Sequence, residues 1–167
     1  MSSPRDDART WILTGSLENF RINVERGFDV IGLKQRRRNQ AAELGPGDDV
    51  VFYDTGVQAF GAVARVRSTM FEDRTPIWPQ GRKKRADRRS GRREDYPWRV
   101  EAEPVVVLDE AAFVAAEELA PELEHVRKWP AEHWQLAFQG QLRSVGAADA
   151  ELLRSRVESA ARAPAGR

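Results

Sequence analysis

The chain has 167 residues, 41% of them hydrophobic, with no Cys and two His. That length suits one domain with its own core, and the lack of Cys excludes disulfides, thiol chemistry and Cys-ligated metals. No apolar run approaches the ~20 residues of a membrane span, and the polar start shows no secretory signal. We therefore expect a soluble cytoplasmic protein without a metal site or a cofactor.

The near-balance of charge hides an uneven distribution along the chain. Residues 1–100 hold 20 Lys and Arg against 14 Asp and Glu, whereas residues 101–167 hold 7 against 12. The excess cations form two clusters, which favours a polyanionic partner such as nucleic acid, although a solvated loop is the alternative for the second cluster. The first cluster is Lys34, Arg36, Arg37 and Arg38, and the second is Arg82, Lys83, Lys84, Arg85, Arg88, Arg89, Arg92 and Arg93.

Short strands separated by turns dominate the first half of the chain. A helix over 17–26 follows the first strand, with Ser16 as its N-cap. In the fourth strand, Phe60 falls on the same face as Ala62 and Ala64, and small residues on a strand face indicate close approach of a neighbouring backbone or ligand. We predict strands over 10–14, 28–33, 49–55 and 59–68, a basic turn at 34–38, a helical turn at 39–44 and a Gly-Pro-Gly-Asp turn at 45–48.

The second half combines one long strand with helical segments. Residues 69–95 show little periodicity and predict a long loop, whose length is typical of functional or disordered segments. Pro104 in the strand that follows predicts a bulge or an edge position, and Pro121 ends a helix that composition predicts over 111–119. The remaining elements are strands over 96–108 and 141–145, an aromatic segment over 129–140 and an amphipathic helix over 147–162.

These five to seven short strands do not alternate regularly with helices, which argues against a doubly wound parallel sheet. We predict an α+β fold, a small and mostly antiparallel β-barrel with flanking helices. The predicted domain division is a flexible N-terminus at 1–9, a single domain at 10–162 that includes a long basic loop at 74–95, and a frayed tail at 163–167.

Four stretches, taken in their order along the chain, carry a resemblance to a known family. They are a strand at 11–13 that leads to Ser-Leu-Glu-Asn-Phe at 16–20, a strand at 28–33, a Pro-Gly-Asp turn and aromatic strand within 44–53, and Tyr-Pro-Trp-Arg-Val at 96–100 with a later Trp, Phe and Gly at 134, 138 and 140. Together they resemble the EVE domain, a member of the PUA-like barrel group and a relative of the YTH domain. The resemblance covers roughly residues 10–160 and implies a PUA-like barrel.

The resemblance also implies a binding module that receives one nucleobase, often a modified one, in a pocket of the barrel. In the YTH relatives an aromatic cage sandwiches the methylated base, while an Asn and backbone groups read its edge. Ile31 stands where the family usually has the first cage Trp, and an aliphatic side chain has no π-face, so recognition of a methylated base would need another aromatic. The implied pocket residues are Ser16, Asn19, Ile31 and Gly32, with Tyr53, Trp78, Trp98 and Trp134 as aromatic candidates.

Three hypotheses for function follow, and we favour the first. The first is an EVE-type module without catalytic residues that binds RNA or DNA. The second is a small nucleotide- or RNA-processing enzyme on the same barrel, which would use His133 or Glu132, although the chain has none of the common hydrolase, phosphate-loop, zinc-protease or dinucleotide motifs. The third is a regulatory domain that docks a protein, and the oligomeric state stays open. In the first hypothesis the phosphate backbone is held by Lys34, Arg36, Arg37, Arg38, Arg82, Lys83, Lys84, Arg85, Arg88 and Arg89.

Overall fold

The computed structural model describes residues 7–79 and 94–163 of the chain. Within those residues, eight strands join into one sheet with helices around it. The strands are β1 (Thr10–Gly15), β2 (Val30–Leu33), β3 (Asp49–Asp54), β4 (Ala59–Val66), β5 (Phe71–Glu72), β6 (Trp98–Val107), β7 (Val114–Ala115) and β8 (Leu142–Val145). The α-helices are α1 (Leu17–Glu25), α2 (Arg38–Ala41), α3 (Ala116–Leu119) and α4 (Ala147–Arg162), and 3₁₀ turns cover Gln35–Arg37, Glu110–Ala112, Ala120–Glu122, Val126–Lys128 and Ala131–Phe138.

The sheet is mixed and curls into a half-barrel. Its strand order is β2-β6-β4-β3-β1-β8, with β5 added to β6 and β7 added to β4. Of the described strand pairs, β1 and β3 run parallel and the others run antiparallel. The predicted α+β class and mostly antiparallel barrel are therefore confirmed. The strands outnumber the predicted five to seven because β5 and β7, with 2 residues each, are too short to leave a periodic signal.

The parallel pairing of β1 with β3 brings the C-terminal ends of these two strands together at one end of the sheet. Gly15 at the end of β1 is in register with Asp54 at the end of β3. Helix α1 begins directly after β1, and Ser16 Oγ accepts a hydrogen bond of 3.1 Å from the backbone N–H of Asn19, which confirms the predicted N-cap. The first turns of α1 therefore lie beside both strand ends, and Phe20 anchors the helix in the core.

Two hydrophobic clusters pack against opposite faces of the sheet. Alternation along β3 assigns Phe52 to the first cluster, together with Phe20 of α1, and assigns Tyr53 to the second. Leu153 and Val157 of α4 belong to the second cluster, as the amphipathic pattern of 147–162 predicts. The first cluster fills the half-barrel, and the second joins the sheet to the C-terminal helix.

A β-bulge in β4 overturns the alternation predicted for that strand. The register with β3 shifts so that Tyr53 pairs with Phe60 while the preceding residue of β3 pairs with Ala62, which leaves Gly61 as the extra residue. Phe60 therefore packs in the second cluster, away from Ala62. The small residue at the bulge is required by packing, because a Cβ built on Gly61 would lie 2.6 Å from Phe113 Cζ.

Three other predictions of local structure can be compared with the observed elements. The continuous helix predicted over 111–119 is wrong: the segment holds a 3₁₀ turn, β7 and α3, because pairing of β7 with β4 overrides the local helical composition. The loop predicted over 69–95 contains β5. Pro104 predicts a bulge or an edge position, and the structure has the bulge, since the pairing of β6 with β4 passes over Val105. Among the described residues, no helix is both long enough and apolar enough to cross a membrane.

Candidate functional site

A cavity of about 260 Å³ opens where the ends of β1 and β3 meet the start of α1. Cavities for drug-sized ligands run from about 300 to 1,000 Å³, so this one suits a single small ring system. The lining residues are Leu13, Thr14, Gly15, Ser16, Asn19, Phe20, Asn23, Ile31, Gly32, Lys34, Phe52, Tyr53, Asp54, Thr55, Trp78, Tyr96 and Gln141.

Trp78 and Tyr96 form one wall of the cavity, which we call the aromatic wall. Their ring centroids lie 5.5 Å apart in an edge-to-face arrangement. The Trp78 indole packs directly on β2, because a Cβ built on Gly32 would lie 2.6 Å from Trp78 Cη2. Trp78 Nε1 also donates a hydrogen bond of 2.9 Å to Asn23 Oδ1 of α1. These contacts fix the orientation of the indole before any ligand enters.

Arg99 of β6 holds both segments that carry the aromatic wall. Its side chain is 1% exposed, with Nε donating to Tyr96 O at 3.0 Å and Nη2 donating to Thr75 O at 2.6 Å. The guanidinium carbon lies 5.4 Å from the centroid of the Trp78 ring, within cation–π distance. Burial lowers the pKa of Arg99, and the nearby Asp73 carboxylate acts in the opposite direction. Arg99 is therefore a positioning residue for the wall.

Most polar side chains in the cavity already have partners within the protein. Asn19 Nδ2 donates a long hydrogen bond of 3.4 Å to the Tyr96 hydroxyl, and Gln141 Oε1 accepts one of 2.8 Å from the Lys34 backbone N–H. Burial raises the pKa of Tyr96, against the effect of its hydrogen bond with Asn19. The phenol therefore keeps its proton at neutral pH.

Asp54 differs from the other polar groups of the cavity. Its side chain is 2% exposed, and Oδ1 accepts hydrogen bonds from the backbone N–H groups of Gly56 at 2.8 Å and Val57 at 3.3 Å. Among the described residues, Oδ2 has no hydrogen-bond partner. A buried acceptor without a partner costs free energy, and this oxygen has almost no accessible surface.

Comparison with known protein families decides what kind of domain this is. The sequence profile described as the EVE domain matches residues 9–154. The chain belongs to the EVE domain family. Among curated proteins, none matches the sequence.

Several solved structures share the fold of this EVE domain. A hypothetical protein from Leishmania major has 17% identity and a TM-score of 0.58, over 92% of this chain and 98% of its own. The Pho92 YTH domain in complex with m6A has 13% identity and a TM-score of 0.61, over 93% and 90%. The YTH domain of the Zygosaccharomyces rouxii MRB1 protein, in complex with N6-methyladenosine RNA, has 14% identity and a TM-score of 0.58, over 93% and 91%. The predicted relationship between the EVE and YTH folds is confirmed.

The cavity of the EVE domain brings together most of the side chains that the sequence places in a pocket. Ser16, Asn19, Ile31, Gly32 and Trp78 all line it. Ile31 also belongs to the first hydrophobic cluster, so it offers an apolar surface at the position that the family usually gives to a Trp. Trp78 reaches the same cavity from the segment before the second basic cluster.

Three predicted aromatic candidates do not present a ring to this cavity. Tyr53 borders it, but alternation along β3 turns its ring to the other face of the sheet, where it stacks on Phe138 with centroids 4.7 Å apart. Trp98 does not line the cavity, and its Nε1 donates a hydrogen bond of 2.7 Å to Gln35 O. Trp134 is also outside it and packs edge to face on Phe138, in the second cluster.

The first basic cluster follows β2 and adjoins the cavity. Lys34 lines the cavity, Arg36 and Arg38 are exposed, and Arg37 is half-buried. The Arg38 guanidinium lies 5.3 Å from the centroid of the Trp98 ring. Trp98 therefore lies beside the basic surface and not in the cavity. The predicted phosphate-binding residues of the second cluster lie outside the described residues, and they are Arg82, Lys83, Lys84, Arg85, Arg88 and Arg89.

Asn23, Asp54 and Tyr96 are among the cavity residues that sequence reasoning missed. Asn23 lies one helical turn after Asn19 on α1, and this i, i+4 spacing is a signal that could have found it. Asp54 opens an Asp-Thr-Gly turn, where an acidic residue normally indicates only a loop. Tyr96 has a φ of 50°, a backbone conformation that no pattern in the sequence indicates.

Proposed function

We propose that this EVE domain binds single-stranded nucleic acid, RNA or DNA, and receives one nucleobase, modified or unmodified, in its cavity. The observation that carries the proposal is the aromatic wall beside Gly32, which lines a small cavity with two aromatic side chains next to polar groups. A base that leaves its stack offers a planar face and a polar edge to such a site. The neighbouring YTH domains in complex with m6A and with N6-methyladenosine RNA support the proposal.

In this proposal Trp78 supplies the stacking surface and Ile31 supplies an apolar contact. Stacking of a base on an aromatic side chain contributes about 1–3 kcal/mol. An aliphatic side chain packs on a base without the electrostatic part of that interaction. In this proposal the base stacks on one indole instead of between two, and Trp78 is the residue on which affinity depends most.

We place the phosphate backbone along the first basic cluster. Lys34 and the exposed Arg36 and Arg38 follow the strand that carries Gly32, which the Trp78 indole covers. Contacts from Lys and Arg to phosphates release counterions, so the affinity they provide falls as salt rises. The second basic cluster joins the segments of Trp78 and Tyr96 along the chain, and this position supports a backbone role for it as well.

We propose recognition rather than turnover. Glu132 and His133, which an enzyme on this barrel would use, are exposed on the turn Ala131–Phe138 and do not line the cavity. His125 is buried, and its Nε2 lies 2.8 Å from Ala137 O, an arrangement that suits a structural role. A cytoplasmic location belongs to the same proposal.

Fluorescence anisotropy with labelled single-stranded RNA and DNA tests the proposal. The protein should bind, and W78A should raise the Kd roughly 10-fold or more because a stacking surface is lost. W134A is the matched control, since it removes a partly buried indole outside the cavity and should change the Kd less than about 2-fold. Thermal unfolding confirms that both variants are folded. No binding of any oligonucleotide, or equal losses in the two variants, would contradict the proposal.

A further inference from the structure

We propose that Gln141 reads the base in the cavity through a hydrogen bond donated by its side-chain NH₂. This donor favours bases that carry a carbonyl oxygen where cytosine and adenine carry an amino group: uracil, thymine, guanine and hypoxanthine. Cytosine and adenine are the bases it disfavours, and N6-methyladenine, which keeps one N–H at that position, falls in the same class. This inference rests on the proposed function and names the class of base that enters the same cavity.

Gln141 lies where the two ends of the curled sheet approach each other. It directly precedes β8, the last strand at one end of the strand order, and Lys34 directly follows β2, the last strand at the other end. Gln141 O accepts a hydrogen bond of 2.9 Å from the backbone N–H of Thr14, and its side-chain Oε1 accepts the bond of 2.8 Å from the Lys34 N–H. Thr14, Lys34 and Gln141 all line the cavity. The Gln141 side chain therefore extends along the cavity, from the end of β1 to the end of β2.

These contacts fix the amide in one orientation and leave its NH₂ free. A backbone N–H only donates, so the amide oxygen must face Lys34 and the NH₂ takes the other side of the amide group.

This NH₂ keeps accessible surface. Among the described residues, Nε2 has no hydrogen-bond acceptor, and it is not one of the side-chain atoms that are sealed from solvent without a partner, a group that includes Asp54 Oδ2. Gln141 is 8% exposed and lines the cavity. The cavity is therefore the place where a ligand reaches this donor.

The chemistry of an amide NH₂ decides which edge of a base can meet it. The group only donates hydrogen bonds, and a base that leaves its strand is read on its Watson–Crick edge. On that edge uracil, thymine, guanine and hypoxanthine present a carbonyl oxygen, which accepts from the NH₂. Cytosine and adenine present an amino group, which meets the NH₂ donor to donor. Buried donors without an acceptor cost free energy, so the second class should bind more weakly.

The same geometry predicts how a substitution of equal shape changes the preference. In Q141E one carboxylate oxygen should take the place of Oε1 and accept from the Lys34 N–H. The other oxygen then lies where the NH₂ was, and an acceptor replaces a donor. The added negative charge should weaken binding of every oligonucleotide through its phosphates. The ratio of affinities for two bases, in which that effect cancels, is therefore the quantity to measure.

The test uses two pairs of single-stranded oligonucleotides that differ in one central base: uracil against cytosine, and hypoxanthine against adenine. For the wild-type protein, at least one carbonyl base should bind roughly 10-fold more tightly than its partner, because its partner leaves a buried donor unpaired. In Q141E that ratio should fall to about one or invert. Q135E makes the same change at an exposed Gln outside the cavity, so it is the matched control and should keep the wild-type ratio.

The outcomes separate this inference from the proposed function. If the wild-type protein binds every oligonucleotide without a preference for carbonyl bases, or prefers cytosine and adenine, the inference is wrong and the proposed function stands. A carbonyl preference that Q141E retains also overturns the inference. If no oligonucleotide binds at all, the proposed function fails and the inference fails with it.

A second measurement on the wild-type protein applies should Q141E not fold. The side-chain NH₂ signals of Gln141 in a ¹H–¹⁵N spectrum should shift more at saturation with the uracil oligonucleotide than with the cytosine one. Equal shifts, or no shift with either oligonucleotide, would overturn the inference.

Discussion

The Trp78 indole lies on the backbone of Gly32 with no space between them for a side chain. A Cβ built on Gly32 would lie 2.6 Å from Trp78 Cη2 and 3.2 Å from Tyr96 Cβ. Gly32 does not have a positive φ, so glycine is needed there for the close approach of the indole and not for an unusual backbone conformation. This contact joins β2 to the aromatic wall and defines one side of the cavity.

Replacing Gly32 with Ala should displace the indole. We expect G32A to lower the free energy of unfolding by about 1–3 kcal/mol, the cost of inserting a methyl group into a packed site, and to weaken oligonucleotide binding. Gly15→Ala is the matched control, because Gly15 lines the same cavity but nothing lies within 4 Å of a Cβ built on it. Urea denaturation measures both variants. Similar losses of stability in G32A and G15A would show that the Trp78 contact is not responsible.

The hydrogen bond from Trp78 Nε1 to Asn23 Oδ1 should stabilise the folded protein. N23A leaves the buried indole N–H without an acceptor, which costs about 1–3 kcal/mol of stability. W78F removes the donor, so in the double variant the loss should be smaller than the sum of the single losses by at least ~0.5 kcal/mol. The four proteins of this double-mutant cycle are compared by urea denaturation. Additive losses would mean that the hydrogen bond contributes nothing to the seating of the indole.

Arg99 should set the position of the aromatic wall without touching the base. R99M removes the donors to Tyr96 O and Thr75 O, and we expect a loss of about 2–3 kcal/mol in stability together with weaker oligonucleotide binding. Exposed Arg67 provides the control R67M. Near-ultraviolet circular dichroism reports the packing of the aromatic side chains, Trp78 and Tyr96 among them, and R67M should leave the spectrum unchanged. A wild-type spectrum and affinity for R99M would contradict the positioning role.

The first basic cluster should contribute salt-dependent affinity for every sequence alike. If Arg36, Arg37 and Arg38 each contact one phosphate, replacing all three with Ala should reduce the slope of log K against log salt by about 2 for a single strand. A control with the same loss of charge replaces Arg127, Lys128 and Arg162, which are exposed elsewhere, and should leave the slope close to that of the wild-type protein. An unchanged slope in the first triple variant would remove the cluster from the binding surface.

His125 should make stability depend on pH. Burial lowers its pKa, and Lys128 and Arg143 act in the same direction, whereas the hydrogen bond with Ala137 O raises it. The folded protein therefore takes up a proton less readily than the unfolded chain, so stability is complete above the unfolded pKa of about 6.5 and falls as the pH falls below it. The decrease in unfolding free energy from about pH 7.5 to about pH 5.5 should be smaller in H125Q than in the wild-type protein.

The matched control for this pH dependence is H133Q. His133 is exposed, so its replacement should leave the pH dependence of stability unchanged. Identical pH profiles for H125Q and the wild-type protein would exclude His125 as the group responsible.

The regular elements could be predicted from the sequence because their signals are local. The β-forming residues at 10–14 specify a strand, the capping residue Ser16 a helix start, and the amphipathic pattern of 147–162 a helix, all without reference to distant residues. The cavity residues Asn19, Ile31 and Gly32 followed from a resemblance whose motifs lie on these same elements. These three residues could be predicted as pocket residues because the order of the motifs matches that of the family.

The remaining features depend on contacts between distant parts of the chain. The bulge at Gly61 turns the Phe60 side chain to the other face of the sheet. The pairing of β7 with β4 replaces part of a predicted helix with a strand. Arg99 is nearly fully buried, against the usual preference of its residue type. Oδ2 of Asp54 is buried without a partner in the part of the chain that the structure describes, while Oδ1 binds a backbone N–H of the turn. None of these is encoded by residue type and spacing alone.

The central claim, that a base enters the cavity against Trp78, is tested most directly by the indole N–H resonances of the five Trp residues in a ¹H–¹⁵N spectrum. W78F identifies the Trp78 signal by its loss. During titration with a single-stranded oligonucleotide, we predict a saturable shift of the Trp78 resonance, with Trp11 and Trp134, which lie outside the cavity, unchanged. Saturable binding that moves other resonances and leaves Trp78 unaffected would show that the nucleic acid binds elsewhere.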